Sequence, residues 1–239
     1  MTTTLPTEVA DRAPARAGRV WGVVRRRPVA TVAGAFVLLL VVMAVFAPWL
    51  APYDPYAQDL LGRLQPPSST HWLGTDDYGR DVLSRLIFGA RISLQASLQA
   101  VVLALVLGLP LGVIAGYLGG WVDTVLTRIM DALMSAPSLV LAITIVAVLG
   151  SGITNAMLAV GLVMAPRFFR VARASTMDVR GDTYIEASVA LGCTTSRTIV
   201  RHILPNVMPP IVLVSSVSLG TAVAAEASLP VLGLGAKAP

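Results

Sequence analysis

Side chains able to carry acid–base, nucleophilic or metal chemistry are few in this 239-residue chain, and they lie far apart. His71 and His202 are the only imidazoles, Cys193 the only thiol and Lys237 the only side-chain amine. A phosphate-cradling loop, G-x-x-x-x-G-K-[ST], needs a lysine directly behind a glycine turn. Lys237 has no such setting, so the chain cannot build that ATP site. H-E-x-x-H and G-x-S-x-G are absent as well. A lone cysteine permits no intrachain disulfide and no cysteine-rich metal site, and Cys193 reads as a small packing residue. Asp76, Asp77 and Asp81 make a loose acidic cluster whose spacing does not fit an EF-hand loop. Helix capping by Asp77 or Asp81 is the better reading. The chemistry that remains is non-covalent: docking, packing and charge pairing.

One segment is suited to docking. Glu186-Ala187-Ser188-Val189-Ala190-Leu191-Gly192 is followed ten residues later by His202-Ile203-Leu204-Pro205. The polar stretch from about Val171 to Pro205 lies between strongly apolar runs and has a helix–Gly–helix–Pro layout. Arg167, Arg170, Arg173, Arg180, Arg197 and Arg201 make it and its approach basic.

The elements that hold this segment are greasy helices. The chain is 55% hydrophobic and 13% charged, with mean hydropathy +0.75, where a soluble domain carries about 25% charged residues. Most of it is therefore solvated by lipid. The net charge of +5 comes from arginines that flank apolar runs; they form no basic stripe with interleaved aromatics, which argues against a nucleic-acid partner. Residues 1–28 are polar and Arg-rich and lack a signal-peptide layout.

Val29–Ala51 is a charge-free run of the first predicted span, preceded by Arg25-Arg26-Arg27 and closed by Trp49. Basic residues mark the cytoplasmic end, so the N-terminus is expected inside. Residues 52–90 then lie outside, with an interfacial amphipathic helix expected over Asp81–Ala90. Arg63, Arg80, Arg85 and Arg91 there run against the positive-inside rule. Ile92–Ala115 is the second span. Its Gly108, Gly112 and Gly116 recur every four residues, giving a bare face for close helix packing or, as a lesser reading, for a substrate path. The turn Gly119–Asp123 returns the chain, the third span lies within 124–149, the fourth begins at 156–166, and the fifth runs from Val207 to Ala225. Arg128 and Asp131, three apart, are expected to pair on one helix face; direct substrate contact is the alternative. All four tryptophans, Trp21, Trp49, Trp72 and Trp121, fall at or beyond predicted interfaces. The fold class expected is an all-α polytopic membrane protein with five spans.

Glu186-Ala187-Ser188, Gly192 and Leu204-Pro205 resemble the EAA pattern of bacterial ABC importer permeases, E-A-A-x3-G-x9-I-x-L-P. Ser188 replaces the second alanine and His202 stands at the isoleucine position. His71–Arg85 (HWLGTDDYGRDVLSR), Gly116–Asp123 (GYLGGWVD) and Ala225–Gly235 (AEASLPVLGLG) are similar to the dipeptide/oligopeptide branch, the C-type subunit above all. The resemblance implies a type I importer (MetI-like) permease fold in residues 91–239, in a bacterial cytoplasmic membrane. It implies that Glu186, Ala187, Ser188, Gly192, His202, Leu204 and Pro205 form a coupling segment docking on a cytoplasmic ATPase. Its implied partners are a second, homologous permease subunit, two ATPase subunits or domains, and an extracytoplasmic solute-binding protein. Asp76, Asp77, Arg80 and Asp81 would then face the binding protein. No cofactor is expected in this chain; ATP and Mg would be bound by the ATPase. Di- or oligopeptides are the implied cargo, with nickel, glutathione or haem as alternatives on the same machinery. Family members have six spans where five are read here, so either the full product continues past Pro239 or the last helix is missing. Two other classes stand beside this one. An ion-coupled secondary transporter would place ionisable groups at mid-membrane, with Asp131 and Glu226 as candidates. A structural membrane scaffold is the other.

Overall fold

The structure is a computed structural model, and residues 28–228 of it are described here. The N-terminal arginines, Trp21, Leu229-Pro230 and Gly233–Gly235, and with them most of the Ala225–Gly235 resemblance, lie outside the described residues. In chain order the helices are α1 (Pro28–Val45), α2 (Ala47–Leu50), α3 (Val82–Leu118), α4 (Gly120–Ser135), α5 (Ser138–Leu149), α6 (Ile153–Arg180), α7 (Thr183–Ala190), α8 (Thr195–Thr198) and α9 (Leu204–Ser228). A 3-10 turn at Leu60–Gly62 and a π turn at Ile199–Ile203 complete the set.

The first apolar run does not form one helix. Pro48 lacks an N–H and its ring would strike the carbonyl four residues back, so the helix stops at Val45 and a short turn restarts at Ala47. Nor is there a separate interfacial helix at Asp81–Ala90. Those residues are the opening turns of α3, a 37-residue helix whose start is capped by Asp81 and whose length is about 55 Å. The expected third span is two helices, α4 and α5, bent by 93°. Pro137 is the cause: it stands just before α5 in extended backbone and Ala136 is extended too, as a residue preceding proline tends to be. The expected fourth span continues unbroken to Arg180, so the polar segment begins ten residues later than Val171. Pro205 lies inside a helix that runs from Thr195 to Ser228. Its missing N–H and bulky ring are accommodated by the π turn ahead of it, where the Leu204 N–H reaches back to Ile199 O.

Among the described residues three helices are long and apolar enough to cross a membrane, α3, α6 and the α8–α9 run. The bent pair makes a fourth if it is one crossing, and the apolar part of α1, Thr31–Val45, is shorter than these.

Helices α3 and α6 form the spine. A Cβ added at Gly108 would lie 2.5 Å from Ala165 O, at Gly112 2.5 Å from Phe169 O, and at Gly116 2.6 Å from Arg173 O. From the α6 side, a Cβ at Gly161 would come within 2.6 Å of Ala100 O. Small residues thus let the two backbones touch for about four turns, the mode of association open to helices that gain nothing from mutual hydrophobic burial in lipid. Partner numbers rise together along both helices, so α3 and α6 run parallel, and α4–α5 between them must carry the chain back. The core gathers along this seam: Phe168, Phe169 and Met157 of α6 and Ile211 of α9 are fully buried. Ser93 of α3 donates to Glu226 of α9 at 2.8 Å, which sets the end of α9 beside the start of α3.

Candidate functional site

The two polar regions picked out in the sequence lie at opposite ends of α3. At its C-terminal end, α6 finishes at Arg180, and α7 carries Glu186, Ala187 and Ser188. Ile185 is buried and anchors α7, whereas Glu186 and Ala187 are exposed. Ser188 turns its hydroxyl back onto Ile185 O at 2.8 Å.

Gly192 ends this helix. Its φ is +84°, its N–H bonds to Val189 O, and the Cys193 N–H bonds to Ser188 O. That pair of bonds is a Schellman cap, which needs a left-handed residue after the helix. Nothing lies within 4 Å of a Cβ built at Gly192. Its requirement within this chain is therefore backbone conformation, not close approach.

The return into the membrane is tied to α7 by side chains. Asn206 Nδ2 donates to Tyr184 Oη at 3.0 Å and to His202 O at 2.7 Å, and the Tyr184 and His202 rings meet edge-on at 6.4 Å. The structure so brings together Glu186–Gly192 and His202–Pro205, with nine residues between them, through Tyr184 and Asn206. Sequence reasoning missed both. Asn206, directly after Leu204-Pro205 in a first helical turn, was the signal available. Tyr184, Val189, Leu191 and Val200 leave large apolar side chains exposed here. A cleft of about 510 Å³ opens between α3, α6 and α7, lined by Tyr117, Arg180, Ile185, Glu186, Val189 and Ala190.

The base of this end is braced by charge. Arg173 of α6 grips Asp123 of α4 with two donors, Nη2 to Oδ2 at 2.6 Å and Nε to Oδ1. Arg170 donates to Asp131 at 2.8 Å. Asp131 therefore pairs with α6, not with Arg128 as its spacing suggested, because α4 crosses α6 and offers it a partner between helices.

At the other end the 52–81 segment folds on a closed polar network. Asp76 receives the Tyr78 and Arg80 amides and Arg80 Nε, each at 2.9 Å, and also Arg85 Nη1. Burial pushes the Asp76 carboxyl up, but these amides and the Arg80 guanidinium outweigh it and hold it down at about 2. Asp81 caps α3 through the Ser84 amide at 2.8 Å and receives the Ser84 hydroxyl at 2.7 Å. Its other oxygen meets His71 Nδ1 at 3.0 Å. Burial raises this carboxyl too, yet His71 and Ser84 bring it below the usual range. Tyr53 stacks on His71 at 4.8 Å and donates its amide to Ser84 Oγ at 3.1 Å. Gly79, at φ +74°, presses on Asp59, where a Cβ would lie 1.7 Å from the carbonyl oxygen.

Asp76, Arg80 and Asp81 thus face inward, and Asp77 is the exposed member of the four. Of the arginines that break the positive-inside pattern, Arg80 and Arg85 both pair with the single carboxylate of Asp76. Trp49, Trp72 and Trp121 are exposed. Among the described residues no three His, Cys, Asp or Glu side chains gather where they could share a metal.

A parallel helix pair with a proline-bent return, a capped helix at one end, and a second polar knot at the far end make up the scaffold among the described residues. The chain belongs to the family of binding-protein-dependent transport system inner membrane components, whose model matches residues 108–238. Residues 16–67 match the N-terminal TM domain of oligopeptide transport permease C. The chain is 41% identical over 220 residues to the probable D,D-dipeptide transport system permease protein DdpC of Escherichia coli (strain K12), covering 92% of this chain and 74% of that protein. It is 44% identical over 222 residues to the glutathione transport system permease protein GsiD of Shigella flexneri serotype 5b (strain 8401), covering 92% and 73%. An inward-facing MetNI methionine ABC transporter chain superposes with a TM-score of 0.56 at 22% identity, over 63% of this chain and 76% of that one. This last likeness shows the fold. The protein is a multi-pass inner-membrane permease subunit of a binding-protein-dependent transport system.

Proposed function

We propose that this permease forms half of a translocation path for di- or oligopeptides and is driven through α7 by an ATPase on the side of the arginine-rich end. One observation carries the reading. Helix α7 protrudes from the bundle with a defined cap and a tether to the next spanning helix, and it leaves Tyr184, Val189, Leu191 and Val200 uncovered. A helix held so firmly at its base, with apolar side chains unmet at its tip, suits transmission of force from a docked partner. Arginines concentrate at that end, which makes it the cytoplasmic side and puts the N-terminus there as well. ATP and Mg are held by two ATPase subunits or domains. A second permease subunit completes the path, and a solute-binding protein delivers cargo at the 52–81 end, where Asp77 is exposed.

The peptide assignment rests on the relatives, one for a D,D-dipeptide and one for glutathione, a tripeptide. Glutathione is the alternative cargo. Asp131 and Glu226, the candidates for ion coupling, are engaged by Arg170 and Ser93, which favours the ATP-driven reading. The test is ATPase activity of the complex purified with its native partners in lipid. A dipeptide with its binding protein should stimulate hydrolysis, and Tyr184→Phe should weaken that stimulation while leaving unstimulated hydrolysis in place. Stimulation by glutathione and by no dipeptide overturns the substrate; absence of any co-purifying ATPase overturns the mechanism.

A further inference from the structure

The segment between α2 and α3 carries an apolar edge that its own fold does not use. Leu60, Leu61 and Leu64 are 63%, 98% and 66% exposed. Leu64 also adopts φ +51°, the one non-glycine residue with positive φ among the described residues, a conformation that a bulky side chain takes only when its surroundings impose it. The surroundings here are hydrogen bonds. Leu64 N–H reaches Asp76 O at 3.2 Å, Thr75 N–H reaches Gln65 O at 3.1 Å, and Gln65 N–H reaches Thr75 Oγ1 at 2.8 Å. The polar network thus holds a strained backbone that presents Leu64 outward beside Leu61, with exposed Arg63 between them.

Position decides what covers this edge. The segment leaves α2 at Ala51, and Tyr53 is bonded to Ser84 in the first turn of α3, so its start is tied to helices on both sides that lead into the bilayer. Along the chain, exposed apolar side chains run on from the membrane helix: Phe46, Trp49 and Leu50, then Tyr53 and Tyr56, then the leucines. Leucines beside tyrosine and an arginine whose stem is apolar and whose head is cationic match the headgroup zone, with anionic phosphate for the guanidinium. We infer that Leu60–Leu64 is a membrane anchor: the three leucines enter the headgroup–acyl boundary and Arg63 pairs with anionic lipid. Seating this edge fixes the height of the 52–81 segment above the bilayer, and with it the height at which any partner meets it.

The test uses the full chain carrying Cys193→Ser and a single cysteine at Leu61 or Leu64, labelled with an environment-sensitive fluorophore. A third chain carries the label at exposed Ser69. Each is reconstituted in phosphatidylethanolamine–phosphatidylglycerol vesicles with and without a headgroup-level nitroxide lipid. Labels at 61 and 64 should be blue-shifted and lose about half their emission to the nitroxide, while the label at 69 stays water-like. Water-like, unquenched emission at 61 and 64 overturns the anchor, as does shielding that appears only after a second permease or a binding protein is added. Quenching that is unchanged in neutral phosphatidylcholine overturns the role given to Arg63. Uptake and coupling through α7 do not enter this readout, so its failure is separable from failure of the transport assignment.

Discussion

Replacing Gly112 by alanine tests the α3–α6 seam most sharply. The added Cβ would lie 2.5 Å from Phe169 O, 2.7 Å from Ala172 Cβ and 3.0 Å from Arg173 N. The oxygen and nitrogen belong to the α6 backbone, which cannot swing aside as a side chain would. The helices must part by nearly an ångström, and the neighbouring contacts at Gly108 and Gly116 loosen with them. Overpacking of this kind costs about 1–3 kcal/mol, against a gain of about 1 kcal/mol from placing alanine in a helix. Net destabilisation of about 0–2 kcal/mol is expected, about 1–3 kcal/mol below a site that only gains the alanine propensity, and more for Gly112→Val. Gly220→Ala is the control, since a Cβ there meets nothing within 4 Å and the propensity gain stands alone. Loss of helicity in a denaturant titration of the purified chain in bicelles would measure both. If Gly112→Ala unfolds as late as Gly220→Ala, or later, the close parallel packing is wrong.

Three more outcomes follow from the same geometry. Gly192→Val places a β-branched residue at φ +84° and should strain the α7 cap by about 1–2 kcal/mol; uptake falls while membrane abundance holds, and Gly192→Asn retains most activity. Asp123→Asn removes the charge from a two-donor contact with Arg173 and should cost about 1.5–3 kcal/mol, read in the same titration; an unchanged midpoint refutes the brace. The Asp76 carboxyl is depressed to about 2, so the native state binds its proton more weakly than the unfolded chain. Its stabilisation of the 52–81 segment is complete above about pH 4 and disappears as pH falls through about 2. Amide protection factors of Tyr78 and Arg80 should be flat from neutral pH to about 5 and decline in acid; a decline already near neutrality contradicts the assignment.

Local, periodic signals survived from sequence to structure. Glycines at 108, 112 and 116 allow few uses inside an apolar helix, and they line the contact with α6. The capping reading of Asp81 rests on chemistry one turn long and was equally legible. Hydropathy alone overran helix ends, because it sums greasiness and ignores Pro48 and Pro137, which break hydrogen-bond ladders without lowering the sum. The separate interfacial helix was misjudged because the Val82–Ile87 pattern is in phase with the span behind it, so nothing ends the helix between them. Contacts between distant segments left no trace. Asp131 has Arg128 at helical spacing and yet pairs with Arg170, and Tyr184 meets Asn206 across 22 positions. The EAA-like residues were found through their resemblance, while what holds them in place lay outside it.

Under the proposed function, α7 is the contact through which an ATPase drives this permease. It is tested most directly by a cross-link from Ala187, exposed on α7, using Ala187→Cys in a Cys193→Ser chain assembled with its native partners. The expected result is a cross-link to the ATPase whose yield changes between nucleotide-free and ATP-bound complexes, with none from a cysteine at Ser69. A cross-link from Ser69 and none from Ala187, or an Ala187 cross-link indifferent to nucleotide, would contradict it.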